Sequence, residues 1–497
     1  MVGTVIAGCL LRVYQMDNKI CWLDEAYTML RISGFTVEEI LVESANGGIS
    51  RMGDFLKFQG LSKQKEAAST VYSCAIENPH SPPLYYLLER QWCNWFGSSV
   101  FTVRSLSAIF SMLCLPLVYV LCIQLFGCRA IATINTTLMA LSPIQVLYAQ
   151  EARPYSFWCL AILLMCVTLL KAVQSGRTWW LIYALSSAFA LWVHPLSIFV
   201  LAAHALYLGV LAAKNKSWQN IPAFSLSALG GLIIFSPWIY VMVLGLETIR
   251  ARLSSTVNRQ GDWIFDISYP FIDLPTTEFF AILAFAIPAM QLIAMAALVF
   301  TKKRKPFLFL ACLGLIPTLS VLTPDLFLGG LHSFIPRYLF PLYLSLVLSM
   351  GFLIDTLINA KKNWQVIIGA VFFAMLWIIG LRSDWLMLQE TTWWNKEHSN
   401  YLMPLAGKIN KAQKPYLYSA AGVGTMLVLS HLLKPEIPVQ LLDRKIESLP
   451  AGASDIFLLN PPPDLIISLR SRNICKMAPL DPMGRLWKLE PTVNSSH

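Results

Sequence analysis

FTVRSLSAIFSMLCLPLVYVLCIQLF, residues 101–126, settles the fold class, because in this stretch Arg104 is the only charged residue. A helix needs about 20 apolar residues to cross the hydrocarbon core of a bilayer, whereas a surface helix of a soluble domain keeps one polar face. On either side of it, apolar runs of similar character lie at 2–14, 129–148, 155–173, 178–194, 196–213, 221–243, 277–301, 306–323, 337–357 and 364–380. The composition agrees, with 56% hydrophobic and 13% charged residues and a mean hydropathy of +0.57. Soluble domains carry roughly 25% charged residues. The chain therefore reads as an all-α polytopic membrane protein with about 11 transmembrane helices.

The net charge of +10 does not mark a nucleic-acid surface, because the basic residues fall in alternate short loops. With the N-terminus inside, Arg129, Lys171, Arg177, Lys214, Lys216, the run Lys302-Lys303-Arg304-Lys305 and Lys361-Lys362 all lie in inward connections. This obeys the rule that cytoplasmic loops carry the excess of Lys and Arg. The first loop (about 15–100), the loop after Tyr148, the segments 244–276 and 324–336 and the C-terminal region then face outward. The opening MVGTVIAGCLLRVYQ reads as a retained first helix or a truncated start.

Within the first outward loop, PPLYYLLERQWCNWFG (82–97) is aromatic and interrupted by Glu89-Arg90. It reads as an interfacial helix, since aromatic rings suit the headgroup level. Residues 1–381 form a transmembrane module, and 382–497 read as a small extramembrane α/β domain. In that domain PYLYSA, PVQLLD, DIFLLN and LWKLEP are strands, and VGTMLVLSHLL and DLIISLRSR are helices. Most of the 11 cysteines sit in apolar runs, and Cys21, Cys74, Cys93 and Cys475 fall where a disulfide is chemically allowed. There is no internal repeat, phosphate-binding Gly-rich loop or zinc-spaced Cys/His cluster.

Four segments carry candidate chemistry. CWLDEAYT (21–28) brings Asp24 and Glu25 out directly after the first helix, as general-base candidates or as caps of the following turn. SPIQVLYAQEARPYS (142–156) gathers Tyr148, Glu151, Arg153 and Tyr155 in one outward loop. Arg153 has the planar fork that suits a phosphate, and Glu151 suits an acceptor or a metal, while a local ion pair is the plainer alternative. In ENPHSPPLYY (77–86), His80 stands just before a Pro-Pro turn, where it can donate to a phosphate or ligate a divalent ion. LHSFIPRYLFPLY (331–343) places Arg337 and Tyr338 at headgroup depth, fitting either an anionic lipid phosphate or interfacial anchoring. His194 in WVHP reads as a helix-end residue, and Arg250, Arg252 and Arg259 as a headgroup cover or a solvated cluster.

Taken in order, LRVYQ…WLDEA, HSPPLYYLLERQW…FG, VRSLSAIFS, LSPIQVLYAQEARPYS and IPRYLFPLYL resemble the GT-C membrane glycosyltransferases of the dolichyl-phosphate-mannose protein mannosyltransferase and aminoarabinose transferase type, especially the bacterial ones. The resemblance covers roughly residues 10–360. It implies an active site at the outer face and a sugar donor on a polyprenyl phosphate. It also implies a glycan, lipid or protein acceptor and a bacterial inner membrane with the N-terminus cytoplasmic. Asp24 takes the position of the catalytic base, Glu25 the second acid of the pair and Glu151 the second-loop acid. His80 matches the family's His before Pro-Pro, with Ser81 inserted here. His80, Tyr148, Arg153, Arg337 and Tyr338 form the expected donor-phosphate site. No cofactor is required, and a divalent metal on Glu151 and His80 is an option. The competing reading is a transporter or flippase, which calls for ionisable residues or broken helices near the midplane and for repeats.

Overall fold

The computed structural model describes residues 2–254, 263–274, 278–301, 303–328, 335–442, 446, 449–450, 453–472 and 475–491. Arg259, the side chain of Arg252, Lys302 and residues 331–334 ahead of Arg337 lie outside them.

The chain begins with α1 (Val2–Val13) and continues through α2 (Leu23–Ser33), α3 (Val37–Ala45), a 3-10 turn at Met52–Phe58, α4 (Ala67–Glu77) and α5 (Leu84–Phe96). The long apolar elements follow as α6 (Val100–Phe126), α7 (Arg129–Ala140), α8 (Pro143–Ala149), α9 (Tyr155–Ser175), α10 (Arg177–Val193), α11 (Ser197–Asn215) and α12 (Ile221–Leu244). Then come α13 (Leu246–Ser254), α14 (Trp263–Ser268), α15 (Glu278–Phe300), α16 (Arg304–Leu328), a short 3-10 turn Pro336–Tyr338, α17 (Phe340–Ile358) and α18 (Asn363–Gln389). The C-terminal part holds α19 (Glu397–Asn400), α20 (Leu402–Asn410), β1 (Pro415–Ser419), α21 (Val423–Leu429), β2 (Val439–Leu441), β3 (Asp455–Leu459), α22 (Pro463–Ser471), β4 (Cys475–Pro479) and β5 (Leu486–Pro491).

Among the described residues, each of the eleven apolar runs is mainly helical. Among the described residues, seven helices are long and apolar enough to cross a membrane alone, or eight with the bent pair α7–α8 counted as one crossing. The chain is an integral, multi-pass membrane protein. The α1 helix, at 12 residues, rises only about 18 Å at 1.5 Å per residue. The segment 82–97 folds as the helix α5, in keeping with its expected helical character.

The run at 129–148, expected as one straight span, is broken instead, with α7 and α8 meeting at 54°. The cause is Pro143, which lacks an N–H and drives the residue before it out of the helical region. Ser142 accordingly sits at φ −77°, ψ 116°.

Composition divides the chain in linear order near 381, whereas the compact units are discontinuous. One comprises Met1–Met16, Cys74–Tyr85 and Val103–Glu390, and the other Asp17–Ser73, Tyr86–Thr102 and Thr391–His497. In the first unit, α1 approaches α7 so closely that a Cβ on Gly8 would lie 2.5 Å from the carbonyl oxygen of Ala140. Small residues at such crossings let backbones meet inside a membrane.

The second unit is an α/β body with strand order β2-β1-β3-β5-β4. The strands β2, β1 and β3 are parallel, whereas β3–β5 and β5–β4 are antiparallel. DIFLL in β3 is almost wholly apolar because both of its faces are covered. Phe457 and Leu459 join one core with Trp22, Ala26 and Phe55 of the first loop, and Ile456 and Leu458 join another with Leu465 of α22. The first loop and the C-terminal segment thus share a hydrophobic core. The strand β4, CKMAP, goes unread in the sequence because it is a largely exposed edge strand ending in proline. None of the eleven cysteines, Cys21, Cys74, Cys93 and Cys475 included, is in a disulfide among the described residues.

Candidate active site

The helix break decides where Glu151 lies. Where α7 stops, its last carbonyls have no intrahelical donor, and at membrane depth such groups must be satisfied by protein. The buried guanidinium of Arg12 does this, with Nη1 donating to Ala140 O at 2.7 Å and Nη2 to Met139 O at 3.1 Å. It also donates to Gly8 O and Ser111 Oγ. At the other end of α8, Gln150 Nε2 donates to Leu11 O at 3.0 Å and Tyr14 O at 2.8 Å. Arg12 of α1 thus caps α7, Gln150 beyond α8 caps α1, and Glu151 follows directly, fully buried. The turn closes with the Arg153 N–H donating to Glu151 O at 2.7 Å, while Arg153 O accepts from Ser107 Oγ.

An aromatic and cationic cluster is built on this turn. The guanidinium carbon of Arg153 lies 5.7 Å from the centre of the Tyr155 ring, and that of Arg337 lies 5.6 Å from the same ring. Tyr148 meets Tyr155 edge to face at 5.3 Å, and Tyr338 lies 6.2 Å from His194. His194, in the connection between α10 and α11, stacks on Trp158 at 4.4 Å, and its Nδ1 accepts the N–H of Leu196 at 3.3 Å. The proton of the neutral ring therefore sits on Nε2, the tautomer set by the bond at the other nitrogen. Burial first, then the positive charge of His80, Arg153 and Arg337, pushes the His194 pKa down to about 3. His80, Tyr148, Arg153, Arg337 and Tyr338, quoted from three separate motifs, thus gather with Tyr155 and His194 in the first unit.

Asp24 and Glu25 belong to the second unit, where they occupy the first turn of α2 rather than a loop. Carboxylates there interact favourably with the positive end of the helix dipole. The two acids differ in environment. Glu25 is buried, and its Oε2 accepts the Trp22 N–H at 3.4 Å, whereas Asp24 is partly exposed. Lys396 Nζ stands 3.7 Å from Glu25 Oε2. The helix ends in a left-handed Gly34 at φ 82°, whose N–H reaches Arg31 O. This is the αL C-cap that glycine serves.

Among the described residues no group of three or more His, Cys, Asp or Glu is placed to hold a metal ion. The neighbouring charges at His194 are cationic. Three contributors escape the sequence reading. Arg12 has one visible signal, a charge in an apolar run. His194, expected as a plain helix-end residue, joins the cluster, and its signal is only its place before Pro195 between two spans. Lys396, in WWNKEH, has no signal, since its partner is hundreds of residues away.

Residues 80–241 match the sequence profile of the family described as dolichyl-phosphate-mannose-protein mannosyltransferase. That segment takes in His80, Tyr148, Glu151, Arg153 and His194. Across 99% of this chain and 98% of the other, the fold is similar to that of ArnT from Cupriavidus metallidurans bound to undecaprenyl phosphate, with a TM-score of 0.54 and 14% identity. The apo state of the same protein aligns over 82% of this chain and 87% of that one, at a TM-score of 0.49 and 13% identity. An Archaeoglobus fulgidus oligosaccharyltransferase aligns over 88% of this chain and 64% of its own, at a TM-score of 0.47 and 12% identity. No curated protein matches. The mannosyltransferase sequence pattern runs through the segment that carries His80, Tyr148, Arg153 and His194, on a fold similar to that of ArnT, and the chain is a membrane glycosyltransferase.

Proposed function

We propose that the protein transfers a sugar from a polyprenyl-phosphate donor to a hydroxyl acceptor at the extracytoplasmic face of the membrane, with inversion at the anomeric carbon. The observation that carries this reading is the pair Arg153 and Arg337, which come from widely separated motifs yet meet on one ring, Tyr155, beside a neutral His194. Such a cluster suits a phosphate ester, because guanidinium groups match phosphate oxygens in geometry and charge. The related ArnT fold, solved with undecaprenyl phosphate, supports the same donor class.

In the reaction the acceptor oxygen forms a bond to the anomeric carbon as the bond from that carbon to the phosphate oxygen breaks, its electron pair leaving on the phosphate. Asp24 takes the hydroxyl proton. A phosphate leaving group needs no general acid of the kind glycosidases use, so the main demand is stabilisation of departing charge by fixed cations. Arg153 and Arg337 supply it, with His80 and the Nε2–H of His194 as donors and Tyr148 and Tyr338 shaping the cluster. Glu151 orients the acceptor. The acceptor is a glycan, lipid or protein hydroxyl, and the membrane is a bacterial inner membrane with the N-terminus cytoplasmic. None of these steps is routed through a divalent metal.

The test is transfer by purified protein in vesicles supplied with labelled polyprenyl-phosphate sugars and mixed acceptors. Formation of a new glycosidic bond, lost in Asp24→Asn, is the expected result. Movement of label across the bilayer without bond formation would overturn the reading.

A further inference from the structure

We propose that Lys396, contributed by the C-terminal segment, is a positioning residue for the acidic pair: it holds Glu25 as a carboxylate locked into the start of α2, leaving Asp24 as the member that moves a proton. The inference rests on the reading of Asp24 as the base.

The observations come from one small region of the second unit. Lys396 and Glu25 are 0% and 1% exposed, and Nζ lies 3.7 Å from Oε2. The same ammonium stands 5.3 Å from the centre of the Trp22 ring, within the range at which a cation is drawn to an indole face. The oxygen facing Lys396 is also the one that accepts the Trp22 N–H. Two further bonds tie the same turn to the C-terminal segment. Ser399 Oγ accepts the Leu23 N–H at 3.0 Å, and Thr391 O accepts the Ile20 N–H at 2.9 Å. Asp24, by contrast, is partly exposed, and its carbonyl accepts from Thr28 Oγ1.

The physical consequence follows from burial. A carboxylate with almost no exposure stays ionised only if a cation and hydrogen bonds compensate its lost hydration. Without Lys396, Glu25 would take up a proton or leave its site, and either event disturbs the turn that presents Asp24. Adjacent carboxylates also raise each other's proton affinity, and the buried Glu25 beside Lys396 and the partly exposed Asp24 stand in different environments. The segment 391–400 thereby acts on chemistry that begins hundreds of residues earlier in the chain.

The experiment measures kcat and donor KM in vesicles for Lys396→Met, Lys396→Arg, Glu25→Gln and the double variant Glu25→Gln/Lys396→Met, with Asp24→Asn in parallel. Lys396→Met is expected to lower kcat by about 10–100-fold, the span for residues that orient a reactive ligand from behind, with donor KM unchanged. Lys396→Arg recovers most of the loss. The double variant matches Glu25→Gln alone, because the two residues act as one unit. If Lys396→Met does not fold, the double variant, which buries no lone charge, carries the same comparison. A normal kcat in Lys396→Met, or losses that multiply in the double variant, overturns the proposal while Asp24→Asn is inactive. An active Asp24→Asn overturns the assignment of the base instead.

Discussion

Replacing Arg12 by Met tests whether a capped helix break holds the Glu151 turn. The side chain makes four hydrogen bonds of 2.7–3.1 Å from a fully buried position. Of its acceptors, Gly8 O already belongs to the α1 ladder and loses little. Ala140 O and Met139 O lie at the end of α7, where Pro143 prevents the helix from continuing. Met139 O keeps the N–H of Ser142 at 3.4 Å, whereas Ala140 O is left unsatisfied, at a cost of about 1–3 kcal/mol. The loss from one buried orphaned carbonyl is therefore roughly 1–3 kcal/mol. At about 2 °C per kcal/mol for a large domain, the unfolding midpoint in detergent should fall by about 2–6 °C. Tryptophan fluorescence during heating reads this directly. The Arg12→Lys variant keeps the charge but not the fork, so its midpoint should fall between the two. An Arg12→Met protein that melts like the parent refutes the capping argument.

The remaining predictions concern the site. Asp24→Asn should cut transfer by about 10²–10⁴-fold, the usual contribution of a general base, while binding of polyprenyl phosphate persists; normal transfer would remove Asp24 from that role. Arg337→Ala should weaken polyprenyl-phosphate binding about 10–100-fold, as expected for one charge-assisted hydrogen bond of roughly 1.5–3 kcal/mol. An unchanged affinity in equilibrium binding would leave Arg337 as an interfacial anchor. His194, with its pKa pushed down to about 3, stays neutral in the folded protein while the unfolded chain takes up a proton near pH 6.5. Its neutral burial therefore adds stability above that pH and loses it as pH falls from about 6.5 toward 3. In His194→Gln the difference in midpoint between about pH 7.5 and about pH 5 should shrink, and an equal difference in both proteins would contradict the neutral assignment.

Particular residues show which features are legible in the sequence. The eleven apolar runs and the strands DIFLL and LWKLEP can be read there because burial in lipid or between two layers is written locally, as composition and period. The break at Ser142-Pro143 is present as a dipeptide, but the long apolar run around it masks it. Asp24, Glu151 and Arg153 stand out because charges at the ends of apolar runs are costly unless used or paired.

From the order of its residues alone it follows that this chain spans a membrane many times and carries, at its helix ends, the charged residues expected of a glycosyl-transfer site. The tertiary structure chose their company. It set Arg12 against the end of α7, gathered Arg153, Arg337 and His194 around Tyr155 and Trp158, and buried Lys396 beside Glu25 in the unit whose core the first loop and the C-terminal segment share. The reason is physical: a transfer free energy is summed residue by residue along the chain, whereas a hydrogen bond or an ion pair needs two groups whose separation in sequence leaves no local trace.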